Sequence, residues 1–127
     1  MKKITVEDIL KHKPCKKWSI RARLERLLGK GKTLLEICKM RTIDIENRIW
    51  CIIRFLPDAA NRTFALWCIG QCDRATQVEW GYVPNVEDEV DWKGYTDWIA
   101  YWAADNNTMR RKQLRELTHM VGKKKVS

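Results

Sequence analysis

The residues of this chain with the most chemical potential are five cysteines, two histidines, a Gly-Lys-Gly-Lys-Thr run and a block of carboxylates. Each points to a different chemistry. His12 and Cys15 form an HxxC pair, while Cys68 and Cys72 stand at i and i+4 on one face of a helix, so four tetrahedral zinc ligands exist on paper. The spacing is not the paired CxxC of a zinc ribbon, and nothing in it forces the two pairs together. Core thiols are therefore the expectation, with no metal and no cofactor assigned. Gly29-Lys30-Gly31-Lys32-Thr33 ends like a phosphate-cradling loop. That pattern requires a glycine where Arg26 stands and a strand where the spacing is helical, so an ordinary helix connection is expected.

Nucleophilic catalysis has little to draw on. A serine triad would have to use Ser19, and Cys15 beside Lys13, Lys16 and Lys17 has the cationic surroundings of a reactive thiol but no assembled base. Glu87, Asp88, Glu89 and Asp91 lack the alternating ligands and the glycine of a calcium loop, and read as a solvated acidic loop. The expectation is a protein that is not an enzyme.

Binding chemistry is better represented. Trp18 sits among Lys16, Lys17, Arg21 and Arg23, which is the arrangement of an aromatic ring between phosphate-neutralising cations, and Arg110, Arg111 and Arg115 add three more on a terminal helix. Six of the seven Trp follow residue 49, mostly on periodic apolar faces where core positions are expected. The formal charge of +9 favours a polyanion or an acidic protein surface. It is uneven: residues 1–56 hold fifteen basic and six acidic side chains, residues 73–105 two and eight, and residues 106–127 seven and one.

These residues must be positioned by helices. Thr5 with Asp8, and Thr33 with Glu36, have the spacing of capping boxes, Ser19 can cap a helix ending at Gly29, and Pro14 and Pro57 interrupt the helical period. Ile45, Ile49, Ile52, Ile53 and Leu56 follow helical spacing, and Trp50, Cys51 and Phe55 widen that face, which marks a central helix. Asp58 can cap the next helix, on which Ala60, Phe64, Trp67 and Cys68 repeat the period, so the two should form an antiparallel pair at the core. Residues 73–91 lose the period and read as a long irregular acidic loop. Trp92, Tyr95, Trp98, Ile99 and Trp102, then Leu114, Leu117 and Val121, supply two more helices.

The fold class expected is mainly α: one compact multi-helix domain over residues 1–122 with a central antiparallel helix pair, and a basic tail over 123–127. The longest uncharged run, Thr63 to Cys72, is too short to cross a bilayer, and Glu7 and Asp8 interrupt the apolar start, so neither a membrane span nor a signal peptide is expected. The odd cysteine count without a secretory segment points to reduced thiols and a cytoplasmic location.

Ile4 to Leu10, Pro14 to Trp18, Asn47-Arg48-Ile49-Trp50, Arg54-Phe55-Leu56-Pro57 and Phe64-Ala65-Leu66-Trp67-Cys68 together resemble small helical proteins of phages and mobile elements, some of them labelled immunity proteins. Trp98 to Asp105 before Arg110-Arg111-Lys112-Gln113 is similar to the aromatic helix and basic closing helix of that group, although its alanine tract is here reduced to three. The resemblance implies a non-enzymatic phage or mobile-element protein that binds and blocks another protein, a host defence effector or toxin, as an immunity or counter-defence inhibitor. The candidate contacts are Lys16, Lys17, Trp18, Arg21 and Arg23, or the acidic Glu87, Asp88 and Glu89. The alternative is nonspecific nucleic-acid binding through Lys16, Lys17, Arg21, Arg23, Arg110, Arg111 and Arg115.

Overall fold

The structure, a computed structural model, describes residues 3–12, 21–80, 83–85, 87–104 and 107–123. Among these, the elements in chain order are β1 (Lys3–Ile4), α1 (Val6–Lys11), α2 (Arg21–Leu28), β2 (Lys32–Thr33), α3 (Leu34–Lys39), α4 (Ile45–Phe55), α5 (Asp58–Gly70), α6 (Arg74–Trp80), α7 (Trp92–Ala103) and α8 (Asn107–Lys123).

Local chemistry sets the first boundaries. Both expected capping boxes form: Thr5 Oγ1 accepts from the Asp8 amide at 3.2 Å while the Thr5 amide donates to Asp8 Oδ2 at 2.9 Å, and Thr33 and Glu36 make the same exchange. Helix α2 ends at Gly29, whose φ of 56° is the left-handed conformation that a non-glycine residue resists. The glycine-lysine run is thus a helix connection, as expected, with one addition. It carries β2, which pairs antiparallel with β1 in the register Lys3–Thr33 and Ile4–Lys32. Gly31, at φ 127°, brings its backbone so close that an added Cβ would lie 3.1 Å from Lys3 Cβ.

Helix α4 is the central element that its wide apolar face foretold. Ile49, Ile52 and Ile53 enter a core shared with Phe64, Ala65, Cys68, Ile99, Ala100, Leu117 and Val121. Cys51 enters a second core built by Ile4, Val6, Ile9, Leu24, Leu28, Ile37 and Ile43. A helix lined with apolar side chains on two sides can serve both.

The expected α4–α5 pairing needs correction in its detail. The chain does reverse at Leu56-Pro57, and Asn61 Nδ2 secures the reversal by donating to the Ile53 and Leu56 carbonyls at 3.1 and 3.0 Å. Asp58 is not the cap: Pro57 holds that position, no side-chain cap bond forms, and Asp58 instead lies 3.8 Å from Lys93 Nζ. Beyond the turn, α5 lies chiefly along α7, and α4 along α8, α3 and α7. The Asp58–Lys93 pair and the 3.3 Å bond from Thr96 Oγ1 to the Asn61 carbonyl share one offset, so α5 and α7 run parallel. Parallel neighbours need a return crossing, and α5 is about 20 Å long at 1.5 Å per residue.

Residues 71–91 make that crossing, and they are not wholly irregular as expected. Arg74–Trp80 is helical, entered by a turn in which Gln77 Nε2 donates to the Cys72 carbonyl at 2.8 Å. Val78 on α6 is 72% exposed and Ala75 is exposed too, so the described apolar side chains of this helix form no buried stripe of the kind that marks a helix in sequence. Beyond it, Arg62 Nε donates to the Pro84 carbonyl at 2.7 Å and ties the crossing back to α5. Helix α8 is fastened by Gln113, which donates to the Ala100 carbonyl of α7 at 2.8 Å. No helix among the described residues is long and apolar enough to cross a membrane.

Candidate binding surfaces

Two surfaces stand out, one basic and one aromatic. The basic one forms where α8 packs on α3 and on the start of α4, with Leu35, Ile45 and Leu114 as its apolar floor. Two adjoining hollows of about 510 Å³ each share Arg111 and Leu114. Lys39, Arg115, Thr118 and His119 line the first, and Arg41, Arg48 and Asn107 the second. Among the described residues no Asp or Glu lines either hollow, and none pairs with Lys39, Arg41, Arg48, Arg111 or Arg115.

Arg48 is the most constrained of the five. Its Nη1 donates to the Cys38 carbonyl at 3.1 Å, whereas its Nε is sequestered without a partner. Burial lowers its pKa from the usual guanidinium range; Cys38 opposes this, the nearby Arg41 pushes the same way as burial, and Asp44 opposes it more weakly. Burying a cation with little compensation costs free energy, which an anion arriving at this surface would recover.

The aromatic surface lies on α7 and α4. Trp98, Tyr101 and Trp102 are 50%, 66% and 58% exposed, which overturns the reading of Trp98 and Trp102 as core. The core side of α7 is filled instead by Trp92, Thr96, Ile99, Ala100 and Ala103. The helix therefore carries two apolar stripes and buries one of them. Trp98, Tyr101 and Trp50 line an open cleft of about 390 Å³ together with Glu46, Asn47, Gly94, Asp97 and Arg110. Its charges are matched internally. Arg110 Nε lies 3.0 Å from both oxygens of Glu46, and Arg54 lies 3.5 Å from Asp97 with its guanidinium 4.7 Å above the Trp50 ring.

Arg110 is thereby removed from the set of phosphate-contacting arginines. It is buried, with Nη1 donating to Gln113 Oε1 at 2.8 Å, so Arg111 and Arg115 are the members of that trio on the surface. Arg21 is exposed but engaged by Glu7 and Glu25, and Arg23 is half-buried. Lys16, Lys17 and Trp18 lie outside the described residues, as do Cys15 and Ser19. Sequence reasoning missed Lys39, Arg41 and Arg48 as partners of Arg111 and Arg115. They are some seventy residues away in the chain, and only the packing of α3 and α4 on α8 joins them.

Glu87, Asp88 and Glu89 are exposed, and Asp88 Oδ2 accepts from the Asn85 amide at 2.9 Å to shape the turn. Asp91 is used structurally: its Oδ1 accepts from the Gly94 amide at 3.2 Å and caps α7. Cys38, Cys51 and Cys68 are buried, and burial pushes their thiols upward, Cys51 to about 12. His12 lies edge-on to Phe55, 5.1 Å between centroids. No three His, Cys, Asp or Glu side chains among the described residues are grouped to hold a metal ion. Comparison with protein-family models, with curated proteins and with solved structures finds no match for this chain.

Proposed function

We propose that the protein is a non-enzymatic binding protein whose α3–α4–α8 groove neutralises the phosphate backbone of a nucleic acid. The observation that carries this reading is the concentration of Lys39, Arg41, Arg48, Arg111 and Arg115 around two hollows that no carboxylate among the described residues lines. Elsewhere on the molecule, cations such as Arg21, Arg54 and Arg110 sit against carboxylates. A phosphate chain laid in the groove displaces its own counterions, and affinity then falls with salt in proportion to the phosphates contacted.

The test is fluorescence anisotropy of labelled duplex DNA titrated with protein over a range of salt. Three to five contacts give a log–log slope of about −3 to −4.5. Arg111→Ala with Arg115→Ala, both exposed, makes the slope shallower by about 1.8. Arg21→Ala leaves it unchanged, because Glu7 already balances that cation. An unaltered slope in the double variant refutes the assignment.

A second reading is favoured by the acidic turn. Glu87 and Glu89 project from a loop held by Arg62 and Asp88, and they support the role of an inhibitor that presents a nucleic-acid-like charge to a host defence effector or toxin. In cells challenged with such an effector, Glu87→Lys with Glu89→Lys then loses protection while Arg111→Ala with Arg115→Ala keeps it. The opposite pattern removes this reading.

A further inference from the structure

We infer that the second hollow of the basic groove, lined by Arg41, Arg48 and Arg111, is a phosphomonoester site that holds the terminal phosphate of a nucleic-acid strand. This rests on the groove reading above and adds the end group that the groove recognises.

The two hollows differ in the cations they offer. The second gathers three arginines, Arg41, Arg48 and Arg111, with the side-chain amide of Asn107 and the apolar Ile45 and Leu114. The first mixes Lys39 and Arg115 with Thr118 and His119. A lysine is a point charge that any phosphate satisfies, whereas a guanidinium is a planar fork that matches two oxygens of one phosphate. Several forks around one hollow suit a group with several equivalent oxygens. A phosphodiester inside a strand brings a single negative charge, while a phosphomonoester at its end brings about −1.5 to −2 at neutral pH and three acceptor oxygens.

Arg48 is set in place before any ligand arrives. It is half-buried on α4, its Nη1 donates to the Cys38 carbonyl at 3.1 Å, and its Nε is enclosed. A cation ordered in advance loses little freedom on binding. Arg41 is close enough for its charge to act on Arg48. Asp44 acts there too, but it does not line the hollow, and among the described residues no carboxylate pairs with any of the three arginines. Like charges held together gain most from a ligand that carries more than one negative charge.

The rest of the strand has a continuous course. Arg111 and Leu114 belong to the linings of both hollows. Arg115 follows Arg111 by four residues on α8, about 6 Å along the axis at 1.5 Å per residue. A strand whose end is seated against Arg41 and Arg48 therefore lays its next phosphates toward Arg115 and Lys39.

The experiment titrates three short oligothymidylates of equal length, each labelled on an internal base, by anisotropy at several salt concentrations. One ends in a 5′-phosphate, one in a 3′-phosphate and one in hydroxyls only. A phosphorylated strand is expected to bind about tenfold more tightly than the hydroxyl strand at equal salt. Arg41→Gln, at an exposed residue of the second hollow alone, removes that preference. Arg115→Gln, at an exposed residue of the first hollow alone, keeps the preference and makes the salt slope shallower for all three strands. Equal affinity for the three strands, with a steep slope retained, overturns the end-group inference and spares the groove. A preference that survives Arg41→Gln overturns it as well, because the terminal phosphate then sits elsewhere. Absence of salt-dependent binding by every strand overturns both readings, and thymidine 5′-monophosphate still bound in isothermal titration then assigns the hollow to a free nucleotide.

Discussion

The Arg110–Glu46 ion pair beside the aromatic cleft offers a sharp energetic test, because its two members differ in burial. The Arg110 side chain is 8% exposed and Glu46 is 57% exposed. Breaking a fully buried pair by removing one partner costs about 3–5 kcal/mol, and breaking a surface pair about 0–1 kcal/mol. With one end in water, Glu46→Ala should fall between these limits at about 2–3 kcal/mol, since it leaves a buried guanidinium whose remaining contact is Gln113 Oε1. Arg110→Met keeps most of the volume and leaves Glu46 to solvent, but it removes the donor to Gln113 Oε1, for about 1–2 kcal/mol. The double variant no longer contains the stranded cation, so its cost is less than the sum of the single costs by about 1–2 kcal/mol. Urea denaturation of the four proteins of this cycle provides the measurement. A cost for Glu46→Ala below about 0.5 kcal/mol, or strict additivity, would show that the pair is an ordinary surface contact and would refute its role in holding α4 to α8.

Other expectations concern the core. Asn61→Ala removes the donor to two carbonyls at the end of α4 and should destabilise by about 2–3 kcal/mol in chemical denaturation; Asn61→Asp, which cannot donate there while ionised, should cost more. Among the described cysteines, burial makes Cys38, Cys51 and Cys68 poor nucleophiles, so a Cys15→Ser protein should show at most one thiol, half-buried Cys72, reacting rapidly with a disulfide reagent before unfolding. Rapid labelling of Cys51 in the native state would contradict its burial. The pKa of His12 is lowered by burial first and then by the charges of Arg54 and Lys93, so the folded state disfavours its protonation. The unfolded chain then binds the proton more readily, and stability should fall as pH drops through about 6.5 and level off below the folded value. His12→Asn should flatten that part of a denaturation-against-pH curve, and an unchanged curve would exclude His12 as its source.

How much was legible in the sequence follows the range of the interactions. Capping boxes at Thr5 and Thr33 were readable because donor and acceptor lie three residues apart, and the stop at Gly29 because one residue's backbone freedom decides it. The central position of α4 was readable from its wide apolar face, whose two sides serve the two cores. Helix α6 was missed because its described apolar side chains, Ala75 and Val78, are exposed and form no buried stripe. The parallel course of α5 and α7 was hidden in contacts such as Thr96 with Asn61, thirty-five residues apart. Helix α7 misled in another way: Trp98 and Trp102 share the helical period with Trp92 and Ile99, and periodicity cannot say which of two apolar stripes the protein covers. The basic hollows are tertiary altogether, since Arg41 and Arg48 meet Arg111 only when α4 packs on α8.

The central claim is that cations from α3, α4 and α8, none of them paired with a described carboxylate, act together on phosphate. The most direct measurement is the salt dependence of single-stranded and duplex DNA binding by the wild-type protein and by the protein carrying Arg111→Ala and Arg115→Ala. The expected result is a steep log–log slope that becomes shallower by about 1.8 for duplex DNA in the variant, with a smaller change of about 1.4 for single strands. A flat dependence in the wild-type protein, or an identical slope in the variant, would contradict the claim.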